Sequence, residues 1–198
     1  MPAPFSVLHV CMGNICRSPM AERLLVKAAR DAVGDACDRL LLVGSTGTGG
    51  WHAGSPMQPA AARQVRARGG QPDGFRCRQL AREHIEAADL ILTATADQYE
   101  FVVELSADAA DRTFVLGEFG RLLAEVELAD LPTGRDPESV HKRGVALVAA
   151  VAAARGGRPP RPGDDLDDPY GRSDAYYSRI ADQIERTVEP LVAVLLSG

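Results

Sequence analysis

Cysteine is scarce in this 198-residue chain: Cys11, Cys16, Cys37 and Cys77 are the four, and no two form a C-x-x-C pair. The four histidines are scattered as well, so no zinc or other metal site is expected. So few cysteines in a chain this long do not make a disulfide scaffold either. Basic runs are missing. Lys and Arg number 22 against 27 Asp and Glu, for a net charge of −5, and no nucleic-acid partner is expected. Long apolar runs are missing too. The opening MPAPFSVLHV has no positive n-region, and its apolar stretch is too short for a signal peptide or a membrane span. These absences lead to the expectation of a soluble protein of the reducing cytoplasm, without membrane insertion. At 45% hydrophobic, the chain can bury one sizeable core, and a single domain over residues 1–198 is expected.

What is present alternates. SVLHVC, LLLVGS, DLILTAT and RTFVLGEF open on short apolar runs, and helical patterns separate them: SPMAERLLVKAARDAVG, PAAARQVRARGG, and a polar stretch near 97–106. Residues 174–196 form a last amphipathic pattern, with Ile180, Ile184, Val188 and Leu191 on one face. Continuous rather than alternating apolar strands, separated by helices, read as a parallel sheet covered on both faces, a doubly wound α/β fold. One stretch breaks the rhythm. Between about 121 and 163 the chain is rich in Pro, Gly and charge around an Ala/Val-rich segment, which reads as a surface insertion: a helix near 138–155 on mobile connectors.

Two of the four cysteines share one loop, in VCMGNICRSPMAE. A disulfide clip, a metal site and a nucleophile cradle are the candidate explanations. Cys11 ends a strand, Ser18 is a good N-cap, and Pro19 suits the first helical position. The loop between would curl into a nest of backbone N–H groups before a helix N-terminus, with Gly13 and Asn14 tolerating left-handed dihedrals. Such a nest binds an oxyanion such as phosphate. The spacing of a Walker A loop is absent. Cys11 would lie among the same positive dipole ends, an environment that suits a thiolate, and Arg17 adds a fork able to grip two oxygens.

These residues resemble the low-molecular-weight protein tyrosine phosphatases, whose loop reads C-x-G-N-x-C-R-S-P near the N-terminus. The likeness continues through GSTGTGGWHAGSP, similar to the family's second active-site loop, then CRQL, DLILTAT and DDPYG. The resemblance implies a four-stranded parallel sheet with helices on both faces, and hydrolysis of phosphotyrosine proteins through a phosphocysteine, without metal or cofactor. It assigns Cys11 as nucleophile and Arg17 with the loop N–H groups of Met12, Gly13, Asn14, Ile15 and Cys16 as the phosphate grip. The general acid would stand in an Asp-Pro pair. Asp168, followed by Tyr170, matches better than Asp136, which reads as a helix entrance. Ser18 would hydrogen-bond the thiolate, Asn14 would pin the loop, and Trp51 and Tyr170 would stack on the substrate ring. Phe75 stands where family members often carry a histidine that supports the loop. Cys16 is either a redox partner for an oxidised Cys11 or a small packing residue.

Three other functions compete. Arsenate reduction on this fold needs a distal cysteine pair, and Cys37 and Cys77 stand alone. Related arginine phosphatases carry threonine where this chain has Ile15, and an apolar residue there favours an aromatic ring. A non-catalytic phosphopeptide-binding module would have no use for Cys11 or Asp168.

Overall fold

The computed structural model describes residues 3–197; the outermost residues of the expected 1–198 domain, 1, 2 and 198, lie outside it. Four strands form as read: β1 (Phe5–Cys11), β2 (Leu41–Gly47), β3 (Leu90–Thr93) and β4 (Thr113–Val115). They make one parallel sheet in the order β2-β1-β3-β4. The helices are α1 (Arg17–Val33), α2 (Cys37–Leu40), α3 (Pro59–Ala67), α4 (Arg82–Glu86), α5 (Ala96–Leu105), α6 (Leu116–Leu123), α7 (Pro137–Arg155) and α8 (Asp174–Leu196).

Period-2 alternation along β1 divides the core. Phe5, Val7 and Cys11 face one layer, where α1, α3, α6, α7 and α8 pack; Leu8 and Val10 face the other, with Ile85 of α4 and Val102 of α5. Ile180, Ile184, Val188 and Leu191 of α8 are fully buried, as the sequence periodicity predicts. β1 is followed in the chain by β2 on one side and by β3 on the other. The strand order therefore reverses beside the C-terminal end of β1, where an open α/β sheet leaves a crevice for ligands. Cys11 is the last residue of that strand.

The helix expected near 138–155 forms as α7, but it is built into the core rather than carried on mobile connectors. Val140, Leu147, Val148 and Val151 are buried. Gly144 lies against β1 so closely that a Cβ there would stand 2.3 Å from the Phe5 ring. Two buried arginines bind the helix to its surroundings. Arg143 donates to the carbonyls of Pro132 and Gly134 before the helix and to those of Leu195 and Ser197 at the end of α8. Arg155 donates to the Thr113 and Ala110 carbonyls and covers the Phe114 ring at 4.4 Å. Each guanidinium supplies several donors to backbone carbonyls at or near element ends.

This packing reverses an ordinary expectation. Exchanging a helix-interior glycine for alanine normally adds about 1 kcal/mol of stability. Gly144→Ala should instead lose about 1–3 kcal/mol through overpacking against Phe5, seen as a lower urea midpoint with an unchanged slope. A more stable variant would mean that α7 does not lie on β1 as described.

Candidate active site

The loop between β1 and α1 owes its curvature to Asn14. Its φ of 53° is the one positive value outside glycine among the described residues; Gly13 does not share it. The Asn14 side chain is fully buried and fully engaged. Nδ2 donates to Ser18 Oγ and Ser45 Oγ, both at 2.9 Å, and Oδ1 accepts from the Arg78 N–H at 2.8 Å. Ser45 in turn donates to Glu22 at 2.6 Å, and burial raises the pKa of that carboxyl. Ser45 and Glu22 lie within the two quoted loop segments, but only the fold brings them together behind Asn14 and so gives them a role. Phe75 takes no part in this network; it is buried under Arg23.

Helix α1 begins two residues earlier than its Ser-Pro signal suggests. The N-cap is Cys16, not Ser18, and no side chain caps the helix; its first turn also carries no acidic residue. Pro19 therefore sits at the third helical position, where its missing N–H would have had no intrahelical partner anyway. Ser18, freed from capping, turns its hydroxyl to Cys11 Sγ at 3.0 Å and to the Thr46 carbonyl at 3.3 Å. The positive end of α1, uncapped by any side chain, borders the crevice at Cys16 and Arg17, a suitable setting for an anion.

The second loop is fastened to the first chiefly through backbone groups. Thr48 and Gly49 donate their N–H groups to the Cys11 and Met12 carbonyls at 2.9 and 2.8 Å. A Cβ on Gly47 would stand 2.7 Å from the Asn14 nitrogen, so only glycine permits this approach. A Cβ on Gly49 would fall inside the Trp51 indole, which therefore lies across the glycine backbone as a wall. Trp51 is 66% exposed, which rules out core packing for the single tryptophan.

These elements enclose a pocket of about 320 Å³. Cys11, Met12, Gly13, Ile15, Cys16, Arg17, Trp51, Asp168 and Tyr170 all line it, together with His52, which sequence reasoning missed. Asn14 and Ser18 stand behind the loop as supports. Asp136 is elsewhere: it caps α7, accepting from the Glu138 and Ser139 N–H groups, and the Ser139 hydroxyl helps to lower its pKa.

Arg17 joins the loop to the segment carrying Asp168. Its Nη1 donates to the Leu166 carbonyl at 3.0 Å, and Nη2 lies 3.4 Å from Asp168 Oδ2. Asp164 is forked by Arg121 at 2.8 and 3.1 Å. Asp165 accepts from the Ala96 N–H, the Leu166 N–H reaches the Ala94 carbonyl, and Asp167 accepts from Tyr176 and Arg179. The segment is thus tied down on both sides of Arg17. Cys16 Sγ lies 3.4 Å from the Tyr177 hydroxyl. Burial pushes its thiol up to about 12, with the Tyr177 hydrogen bond opposing. All four cysteines are free. Among the described residues no three His, Cys, Asp or Glu side chains converge as metal ligands, and no helix is long and apolar enough to cross a membrane.

Comparison with known proteins accords with this architecture. The family model described as low molecular weight phosphotyrosine protein phosphatase matches residues 6–149. Low molecular weight protein-tyrosine phosphatase A of Mycobacterium tuberculosis is 40% identical over 111 residues, 56% of this chain. That match spans 64% of the mycobacterial protein, less than two thirds of its length. Low molecular weight protein-tyrosine-phosphatase YfkJ of Bacillus subtilis is 35% identical over 133 residues, 67% of this chain and 80% of that one. Among solved structures, the YwlE arginine phosphatase from Geobacillus stearothermophilus superposes with a TM-score of 0.64 at 25% identity, covering 96% of this chain and 91% of its own. The chain belongs to the low molecular weight phosphotyrosine protein phosphatase family.

Proposed function

We propose that this protein hydrolyses phosphotyrosine in protein substrates through a phosphocysteine on Cys11. The observation that carries the reading is the convergence of Cys11, Arg17 and Asp168 on one pocket walled by Trp51 and Tyr170. The Cys11 thiolate attacks phosphorus as the bond to the phenolic oxygen breaks. Arg17 and the loop N–H groups hold the equatorial oxygens and supply the positive charge that the transferring group needs. An incoming phosphate competes with Asp168 for Arg17, whose Nη2 now lies 3.4 Å from that carboxylate. Asp168 protonates the leaving oxygen, then takes a proton from the water that attacks the phosphocysteine and releases phosphate and thiolate. Ser18 has one hydroxyl hydrogen and two claimants, and the thiolate draws it from the Thr46 carbonyl. Free cysteines, two of them in the pocket, suit the reducing cytoplasm as its location.

Arginine phosphatase activity is the second reading, favoured by the likeness to YwlE. Against it stands Ile15, an apolar pocket wall that suits a phenyl ring better than a guanidinium. Ile15→Thr should shift selectivity toward phosphoarginine, measured on matched phosphotyrosine and phosphoarginine peptides. Unchanged selectivity would assign the discrimination to Trp51 and Tyr170.

The acid is tested by its leaving group. A tyrosine phenol has a pKa of about 10, so Asp168→Asn should cost the phenol-release burst from phosphotyrosine roughly 10²–10⁴-fold. A much more acidic phenol should lose far less. Asp136→Asn should leave both bursts nearly untouched. Equal burst defects for the two phenols in Asp168→Asn would reduce Asp168 to a structural residue.

Cys16 is the proposed partner of an oxidised Cys11. Peroxide converts the Cys11 thiolate to a sulfenic acid; Cys16 sulfur then forms the disulfide and water leaves. Its thiol, pushed up to about 12, is almost wholly protonated at neutral pH. Disulfide closure should therefore quicken about tenfold per unit as pH rises from 7 to 9. Recovery of Cys16→Ser by reductant as complete as that of wild type would leave Cys16 a packing residue.

A further inference from the structure

The face of β1 that carries Phe5, Val7 and Cys11 contains one polar ring, His9. It is 1% exposed, and neither ring nitrogen has a hydrogen-bond partner. Burial lowers its pKa to about 3, so at neutral pH the ring presents one N–H donor and one bare nitrogen. Buried polar groups are normally satisfied, by protein or by ordered water. An apolar ring in the same place would leave nothing to satisfy.

His9 borders a small cavity on the inner side of the catalytic loop, with Arg17, Ser18, Thr93 and Leu166 among its other walls. About 10 Å³ there is open to a water molecule, which is room for one. The polar walls differ in what they have to offer. Ser18 Oγ is already engaged with Cys11, Asn14 and Thr46. The Thr93 hydroxyl sends its hydrogen to the Thr95 carbonyl at 3.0 Å and keeps a lone pair. Arg17 Nη1 gives one N–H to Leu166 and, as half of a planar fork, carries a second.

We propose that this cavity binds one water molecule, which accepts from the Arg17 guanidinium and donates to His9 and Thr93. His9 is thereby a positioning residue for the arginine, a claim that rests on the reading of Arg17 as the phosphate grip. The water fixes the guanidinium from behind, on the side opposite the substrate. Leu166 fixes it from the side. Both contacts orient the fork before phosphate arrives, which limits the ordering that binding must impose.

Inorganic phosphate, titrated calorimetrically, is the probe. His9→Phe keeps the bulk of the ring and removes its nitrogens. It should bind phosphate about fivefold more weakly, the factor expected for one lost hydrogen bond, without a fall in thermal midpoint. His9→Gln, which retains a donor and an acceptor, should restore most of the affinity. Wild-type affinity in His9→Phe would make His9 a core residue with no part in the site. A high-resolution crystal structure of the wild-type protein decides independently of any variant. A water bonded to both His9 and Arg17 supports the proposal; a cavity without one, or a water that does not reach Arg17, overturns it. Phosphate binding by the wild type tests the phosphatase reading, and the ratio between wild type and variant tests this one, so the two failures are distinguishable.

Discussion

Asn14 occupies a left-handed backbone conformation, a strained one for any residue but glycine, and commits its entire carboxamide to holding it. Each bond contributes about 0.5–1.5 kcal/mol, so together they offset the strain, and full burial removes water as a competitor. The reversal at Asn14 turns the chain from β1 into α1 within five residues, 12–16. That turn sets Cys11 beside Ser18, and it places the start of α1 at the crevice. Glycine at 47 and 49 then lets the second loop close on the first without side chains between them. The pocket exists because one residue holds an unfavourable dihedral in a place where nothing else competes for its hydrogen bonds.

Arg17 carries the next level of organisation. From the start of α1 it bonds the segment of Leu166 and Asp168. The segment itself is anchored outside the loop, by Arg121 on Asp164 and by Tyr176 and Arg179 on Asp167. The proposed acid, Asp168, and the proposed nucleophile, Cys11, therefore come from opposite ends of the chain yet line one pocket with the Arg17 guanidinium. Buried arginine serves the same purpose away from the pocket. Arg143 and Arg155 fasten α7 to the end of α8 and to the start of β4, which is why a helix between Pro- and Gly-rich connectors belongs to the core.

Much of this was legible in the residues. The apolar runs at β1 to β4 and the fourfold spacing in α8 are local patterns, and local periodicity reports which face an element buries. The loop motif and the Asp-Pro pairs are short and contiguous, so they could be read directly. Ser18 was misread as an N-cap because its helix-starting signal is real, but its hydroxyl has a better use at Cys11 Sγ. The helix simply starts two residues sooner. His52, Ser45, Glu22 and His9 went unread because each is an ordinary residue until a distant neighbour gives it a partner or a cavity.

By itself, then, the sequence determined the α/β rhythm, the parallel sheet and the composition of the loop, since these depend on neighbours a few residues away. The tertiary structure alone decided what each loop residue does. Asn14 meets Ser45 and Arg78 across 31 and 64 positions of chain. Arg17 meets Leu166 across 149, and Cys16 meets Tyr177 across 161. No periodicity spans such distances. Hydrogen bonds act only over about 3 Å, so which partners come that close is settled by how the layers pack.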